Sequence, residues 1–176
     1  RFVVAWTSYE LDGDAFGAAV RRCGPNGYPV GGELLVNDYA VSNQDYPDVA
    51  VARGGAFVVV WHSMLQDGSG YGVYQRRYDA AEAPVTGEIQ VNAHTANSQW
   101  YPRIAMDAIG AYAIAWQSDT QDGSGRGVYA RLYLADGASA TGEFQVNSYT
   151  PSNQHLMDDL SLAIEQARQL IGGSIE

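Results

Sequence analysis

The sequence predicts an all-β fold: a β-propeller-like array of four-stranded antiparallel blades, with a short C-terminal helix. Three observations lead there. Tryptophans recur at a fixed interval, glycine-rich turn signals recur with them, and short β-branched and aromatic runs lie between the turns.

The interval is 55 residues, from Trp6 to Trp61 and from Trp61 to Trp116. The same offset carries Ser8 to Ser63 and Ser118, Asp12-Gly13 to Asp67-Gly68 and Asp122-Gly123, and Arg21 to Arg76 and Arg131. Further along it links Glu33, Glu88 and Glu143, then Asn37, Asn92 and Asn147, then Gln44, Gln99 and Gln154. No gap is needed, so the units are structural copies.

Within the middle unit, Asp48 to Ala52 alternates and predicts a first strand, closed by a tight turn at Gly54-Gly55. Ala56 to Ser63 is too apolar for a strand with one wet face and predicts a second strand buried on both. The Asp67-Gly-Ser-Gly segment reverses the chain into a third strand, Val73 to Tyr78. Glu88 to Asn92 supplies a fourth, polar and outermost. Four strands recurring at about 40–50 residues mark a propeller blade.

The expected layout is a repeat domain over residues 1–154, with a partial blade at 1–37 and blades at about 47–92 and 102–147. The tail, 155–176, leaves the repeat; Leu160, Ala163, Ile164, Ala167, Leu170 and Ile171 follow helical spacing behind a cap at Asp158 or Asp159. The alternative is a degenerate strand over 159–164 that completes a blade. The chain opens already in strand phase, so closure is expected through blades upstream or through a homodimer forming a six-bladed ring.

Composition narrows the function classes. Of 176 residues, 46% are apolar and 17% charged, as in a globular domain. The net charge is −10 and every basic side chain is arginine, which argues against nucleic acid. No apolar run is long enough to span a bilayer. Cys23 stands alone, which excludes an intrachain disulfide and reads as a small hydrophobe in a sheet.

The string Trp-x-Ser-x-x-Gln-Asp-Gly-Ser-Gly-x-Gly-Val-Tyr at 61–74 and 116–129, followed by Arg-x-Tyr and Gly-Glu-x-Gln-Val-Asn segments, resembles a repeat of large secreted bacterial proteins. The resemblance covers about residues 1–154. It implies a propeller-like, exported protein, often beside calcium-binding or adhesion modules, and no single activity. The first unit departs from it, with Asp12-Gly-Asp-Ala-Phe-Gly in the loop.

Two kinds of candidate site follow. Asp12, Asp67 and Asp122 in glycine-rich loops are candidate calcium ligands, against a metal-free turn in which the aspartate accepts backbone N–H bonds. Gln44 and Tyr46, with Gln99, Trp100 and Tyr101, precede the first strands and are candidate sugar-binding residues, against aromatic packing between blades. Arg21, Arg76 and Arg131 are expected to pair with Glu33, Glu88 and Glu143. No histidine falls at metal-ligand spacing, no nucleophile elbow is present, and no acidic residue stands out from the repeat. The expectation is therefore a non-catalytic extracellular recognition or adhesion scaffold, not an enzyme, with a glycan or cell-surface ligand. The alternatives are a structural spacer and a fragment of a propeller hydrolase.

Overall fold

The computed structural model describes residues 1–156. They form eleven strands in three antiparallel sheets and, among the described residues, no helix. The first sheet holds β1 (Phe2–Tyr9), β2 (Phe16–Cys23) and β3 (Pro29–Leu35). The second runs β4 (Gln44–Val51), β5 (Phe57–Met64), β6 (Tyr71–Tyr78) and β7 (Ile89–Gln90). The third repeats it with β8 (Gln99–Met106), β9 (Tyr112–Asp119), β10 (Arg126–Tyr133) and β11 (Phe144–Gln145). Each strand pairs with its sequence neighbour in simple meander order. The helix expected in the tail lies outside the described residues.

Alternation along β5 explains why the strand is apolar throughout. Phe57, Val59 and Trp61, with Tyr74 and Tyr78 of β6, pack on Ala18, Val20 and Val36 of the first sheet. Val58, Val60 and Val73 turn the other way, onto Ile104, Tyr112, Ile114, Trp116, Tyr129 and Tyr133 of the third. Both faces are therefore core, as a doubly covered strand requires. Trp61 and Trp116 are wholly buried at the same register, opposite Tyr74 and Tyr129, and Trp6 holds that register opposite Ala19. Cys23 is buried at the end of β2.

The first strands begin earlier than the sequence pattern suggests, at Gln44 and Gln99 rather than near Pro47 and Pro102. A bulge absorbs each proline: Asp45 faces His62 and Asp48 faces Val60, so Tyr46 and Pro47 share one opposite residue. Trp100 and Arg103 bracket the same bulge in β8. Proline has no N–H to give the ladder, and a bulge asks for none.

The sheets are stitched to one another by the repeated polar side chains. Asn37, Asn92 and Asn147 each accept the backbone N–H of the third strand at 2.8 Å (Ala18, Val73, Val128). Each donates to the carbonyl two residues on, and to Gln44, Gln99 or Gln154 at the crossing to the next first strand. Gln44 and Gln99 in turn reach Ser63 and Ser118. A loop that crosses between sheets thus has its buried polar groups satisfied.

The arginine–glutamate pairing holds only for Arg21 and Glu33, at 3.7 Å. Glu88 instead accepts the backbone N–H groups of Asp38 and Tyr39 in the preceding unit, and Glu143 accepts that of Ala93. Arg76 donates to the Val36 carbonyl and to Asp38. These residues clasp adjacent sheets rather than adjacent strands. Gly70 serves the same seam: a Cβ there would lie 2.7 Å from the Asn97 carbonyl oxygen, so the two loops close only over glycine.

Tyr74, Tyr78, Tyr112, Tyr129 and Tyr133 all lie in these seams, and burial pushes every phenol above its usual 10.0. The fold holds them neutral while the unfolded chain ionises them near 10. Their contribution to stability is therefore complete below about pH 10 and is lost as pH climbs toward the folded values. Thermal melts followed by circular dichroism are expected to be flat from pH 7 to 9 and to fall steeply above about 10.

Candidate functional site

The first strands begin, the second strands end and the third strands begin at one common rim of the three sheets. The bulges lie there and set two tyrosines in the left-handed region, Tyr46 and Tyr101, both at φ 52°. A non-glycine residue held there costs about 1 kcal/mol or more and persists only when its surroundings fix it.

His62 supplies that fixing for Tyr101. It is buried at the end of β5, where its Nδ1 accepts the Tyr101 backbone N–H at 3.1 Å and its Nε2 meets the Asp45 carboxylate. The imidazole therefore accepts a hydrogen bond from the third sheet on one side and lies against a carboxylate of its own sheet on the other, joining the second sheet to the third. Its ring lies 4.5 Å from Tyr71, 5.1 Å from Tyr46 and 5.8 Å from Tyr101. Tyr46 meets Tyr101 edge-on at 4.9 Å and is about half exposed.

Trp100 extends the cluster. Tyr71 approaches it at 5.5 Å, and the Arg126 guanidinium lies 5.0 Å from its ring centroid. Asp119 accepts the Trp100 indole N–H at 3.3 Å and the Arg126 Nε–H at 3.1 Å, which locks both side chains. Asp48 accepts the Ile104 backbone N–H at 3.0 Å, another tie across the seam. The result is a rim of aromatic rings interleaved with carboxylates, chemistry suited to stacking on a sugar ring and accepting its hydroxyl protons.

Of the residues the sequence nominates, Tyr46, Trp100 and Tyr101 come together here. Gln44 and Gln99 do not face a ligand: both are wholly buried and their amides are spent on Asn37, Ser63 and the Val41 carbonyl, or on Asn92, Ser118 and the Ala96 carbonyl. Asp12, Asp67 and Asp122 lie apart, one per hairpin loop. Each accepts the N–H two residues on, from Asp14, Ser69 or Ser124, and a side-chain amide, from Asn37, Asn92 or Gln145. Among the described residues no three His, Cys, Asp or Glu side chains gather as a metal group.

His62, Asp45, Tyr71, Asp119 and Arg126 were not nominated, and their signal was their departure from the repeat. Asp45 stands where the next unit has Trp100, His62 where it has Gln117, Asp48 where it has Arg103, and Tyr71 where it has Arg126. Asp119 replaces Met64. The expectation that no acidic residue stands out from the repeat is thus corrected: Asp45, Asp48 and Asp119 are among those that do, and all three lie at this rim.

No protein-family model and no curated protein matches the sequence. Among solved structures the chain is similar to an endo-1,4-β-xylanase of Bacteroides thetaiotaomicron, at 10% identity and a TM-score of 0.49 over 87% of this chain and 57% of that one. An endo-arabinase of the same organism aligns at 11% identity and a TM-score of 0.43, over 76% and 53% of the two chains. A thermostable family-43 glycoside hydrolase aligns at 11% identity and a TM-score of 0.46, over 86% and 57%. The chain thus spans little more than half the length of each. All three are glycoside hydrolases, and on that finding the expectations of a non-catalytic scaffold and of no enzyme are withdrawn. Among the described residues no helix is long and apolar enough to cross a membrane.

Proposed function

We propose that this chain is part of an exported, propeller-like glycoside hydrolase and that the Tyr46–Tyr101 rim is where it contacts the glycan. One observation carries the proposal: a set of acidic and aromatic residues that break the repeat meets at that rim. A residue present in every unit answers a structural need common to all units. Asp45, His62, Tyr71, Trp100, Asp119 and Arg126 answer no such common need, yet they meet one another directly.

In this reading Tyr46 offers its exposed face to a sugar ring, and Asp45 and Asp119 accept hydroxyl protons. Asp45, His62 and Asp119 also hold the aromatic rings in place, so the surface is preorganised before a ligand arrives. The test is binding and hydrolysis by the intact gene product on neutral polysaccharides, xylan and arabinan first. Tyr46→Ala is expected to weaken binding about tenfold, the loss of about 1.4 kcal/mol of stacking, without lowering the melting temperature. A wild-type protein that neither retains on nor releases reducing sugar from any of these polymers overturns the proposal.

A further inference from the structure

We infer that His62 is a positioning residue: its neutral ring holds the Tyr46–Tyr101 surface in shape, and a second proton on that ring loosens the surface. This rests on the glycan-binding reading above and goes beyond it in making glycan contact answer to a single proton.

Tyr101 needs a partner from outside its own sheet. The bulge between Trp100 and Arg103 takes it out of the strand ladder, so its N–H has no place in the pairing with β9. Its backbone lies in the left-handed region, at φ 52°, where a tyrosine does not rest unaided. The acceptor that meets this N–H, at 3.1 Å, is Nδ1 of the buried His62. An imidazole nitrogen accepts only while it carries no hydrogen. The ring is therefore neutral, with its one proton on Nε2, the side of the Asp45 carboxylate.

A second proton lands on Nδ1 and turns the acceptor into a donor. Two N–H groups then point at each other, and Tyr101 loses the contact that fixes its backbone. Asp45 and Tyr46 of β4, Tyr71 of β6 and Tyr101 of β8 face the ring. Asp45 is the one acid among them, and it sits beside Nε2, where it balances a charged ring inside the seam. The seam thus tolerates the second proton while Tyr101 yields to it. Tyr46 follows: its ring meets Tyr101 edge-on at 4.9 Å, and its own backbone lies at φ 52°. These two tyrosines shape the glycan surface.

The repeat sets His62 apart. Its register, opposite Asp45 and Val73, is filled in the third sheet by Gln117, opposite Trp100 and Val128. In the first sheet Thr7 stands there. Gln117 is buried as His62 is, so the register accommodates a glutamine. Neither threonine nor glutamine titrates, whereas imidazole changes charge between about pH 5 and 8. A titrating group thus occupies this register only at the seam where the aromatic rim is built.

The experiment follows the affinity of the intact gene product for xylan and arabinan from about pH 8 down to about pH 5, beside the NMR signal of its isotope-labelled Tyr101 amide. Wild type is expected to bind about tenfold more weakly at the acid end, the net worth of one well-placed hydrogen bond. The amide signal is expected to move over the same range. His62→Gln, which offers an acceptor oxygen that takes up no proton, is expected to give a level profile and a still signal. His62→Leu, with no acceptor, is expected to bind at every pH as wild type does in acid. A level wild-type profile, an unmoving wild-type amide, or a slope that persists in His62→Gln overturns the inference and leaves the glycan site standing. Should neither polymer bind at any pH, the glycan reading falls. The amide signal then decides whether His62 governs Tyr101, and a still signal in wild type overturns that as well.

Discussion

Trp116→Ala is expected to lower the unfolding free energy by about 3–5 kcal/mol, the range for truncating a buried aromatic side chain. For a chain of this size that corresponds to melting about 10 °C or more below wild type. Trp116 is wholly buried in the seam between the second and third sheets, among Val58, Val60, Val73 and Ile114, so the cavity would open where two sheets are pressed together. Its indole N–H is buried and makes no hydrogen bond. The side chain therefore contributes apolar area and shape alone. Trp116→Phe keeps most of that area and is expected to cost about 1.5 kcal/mol. Equal losses in the two variants, measured by urea denaturation, would show that the N–H and not the volume matters.

Asn92→Ala is expected to cost about 3 kcal/mol, because it leaves a buried donor and a buried acceptor unmet at about 1–3 kcal/mol each. Its Oδ1 holds the Val73 N–H at 2.8 Å, and its Nδ2 reaches the His94 carbonyl at 2.9 Å and Gln99 Oε1 at 3.0 Å. Gln99 then loses part of its support at the point where the chain crosses into the third sheet. Asn147 makes the matching bonds with less burial, so Asn147→Ala is expected to cost about 1 kcal/mol, the net worth of a solvent-accessible hydrogen bond. The comparison separates burial from bond count, since the bonds are the same in kind. Similar urea midpoints for the two variants would refute it.

Periodicity made the sheets legible. Identical side chains at a constant offset require identical surroundings, and Trp61 and Trp116 have them. The strand starts were less legible because Pro47 and Pro102 read as breakers, while a bulge carries the strand through each. Sequence spacing also says which residues neighbour one another within a sheet, but not which face one another across a seam. Arg76 and Glu88 were therefore paired with each other, whereas the folded chain turns both toward the preceding unit.

The site was half legible for a related reason. Tyr46, Trp100 and Tyr101 attract notice as aromatics in polar surroundings, while Gln44 and Gln99 attracted it wrongly, since repetition was already a sign of structural duty. His62 was judged only against metal-ligand spacing. Its work is to bridge Asp45 and the Tyr101 backbone, a pairing between units that no local motif encodes. The positions that broke the pattern held the information.

The clasps made by Glu88, Glu143 and the Asn–Gln pairs join each sheet only to its immediate neighbours. The molecule thus behaves as a short column of layers, in which cohesion is transmitted step by step rather than through one shared centre. Loosening an outer layer weakens the one joint it shares and leaves the other joint intact. Among the three described sheets the second, gripped on both sides, is accordingly the last to open, and the rim rooted in it is held from both flanks.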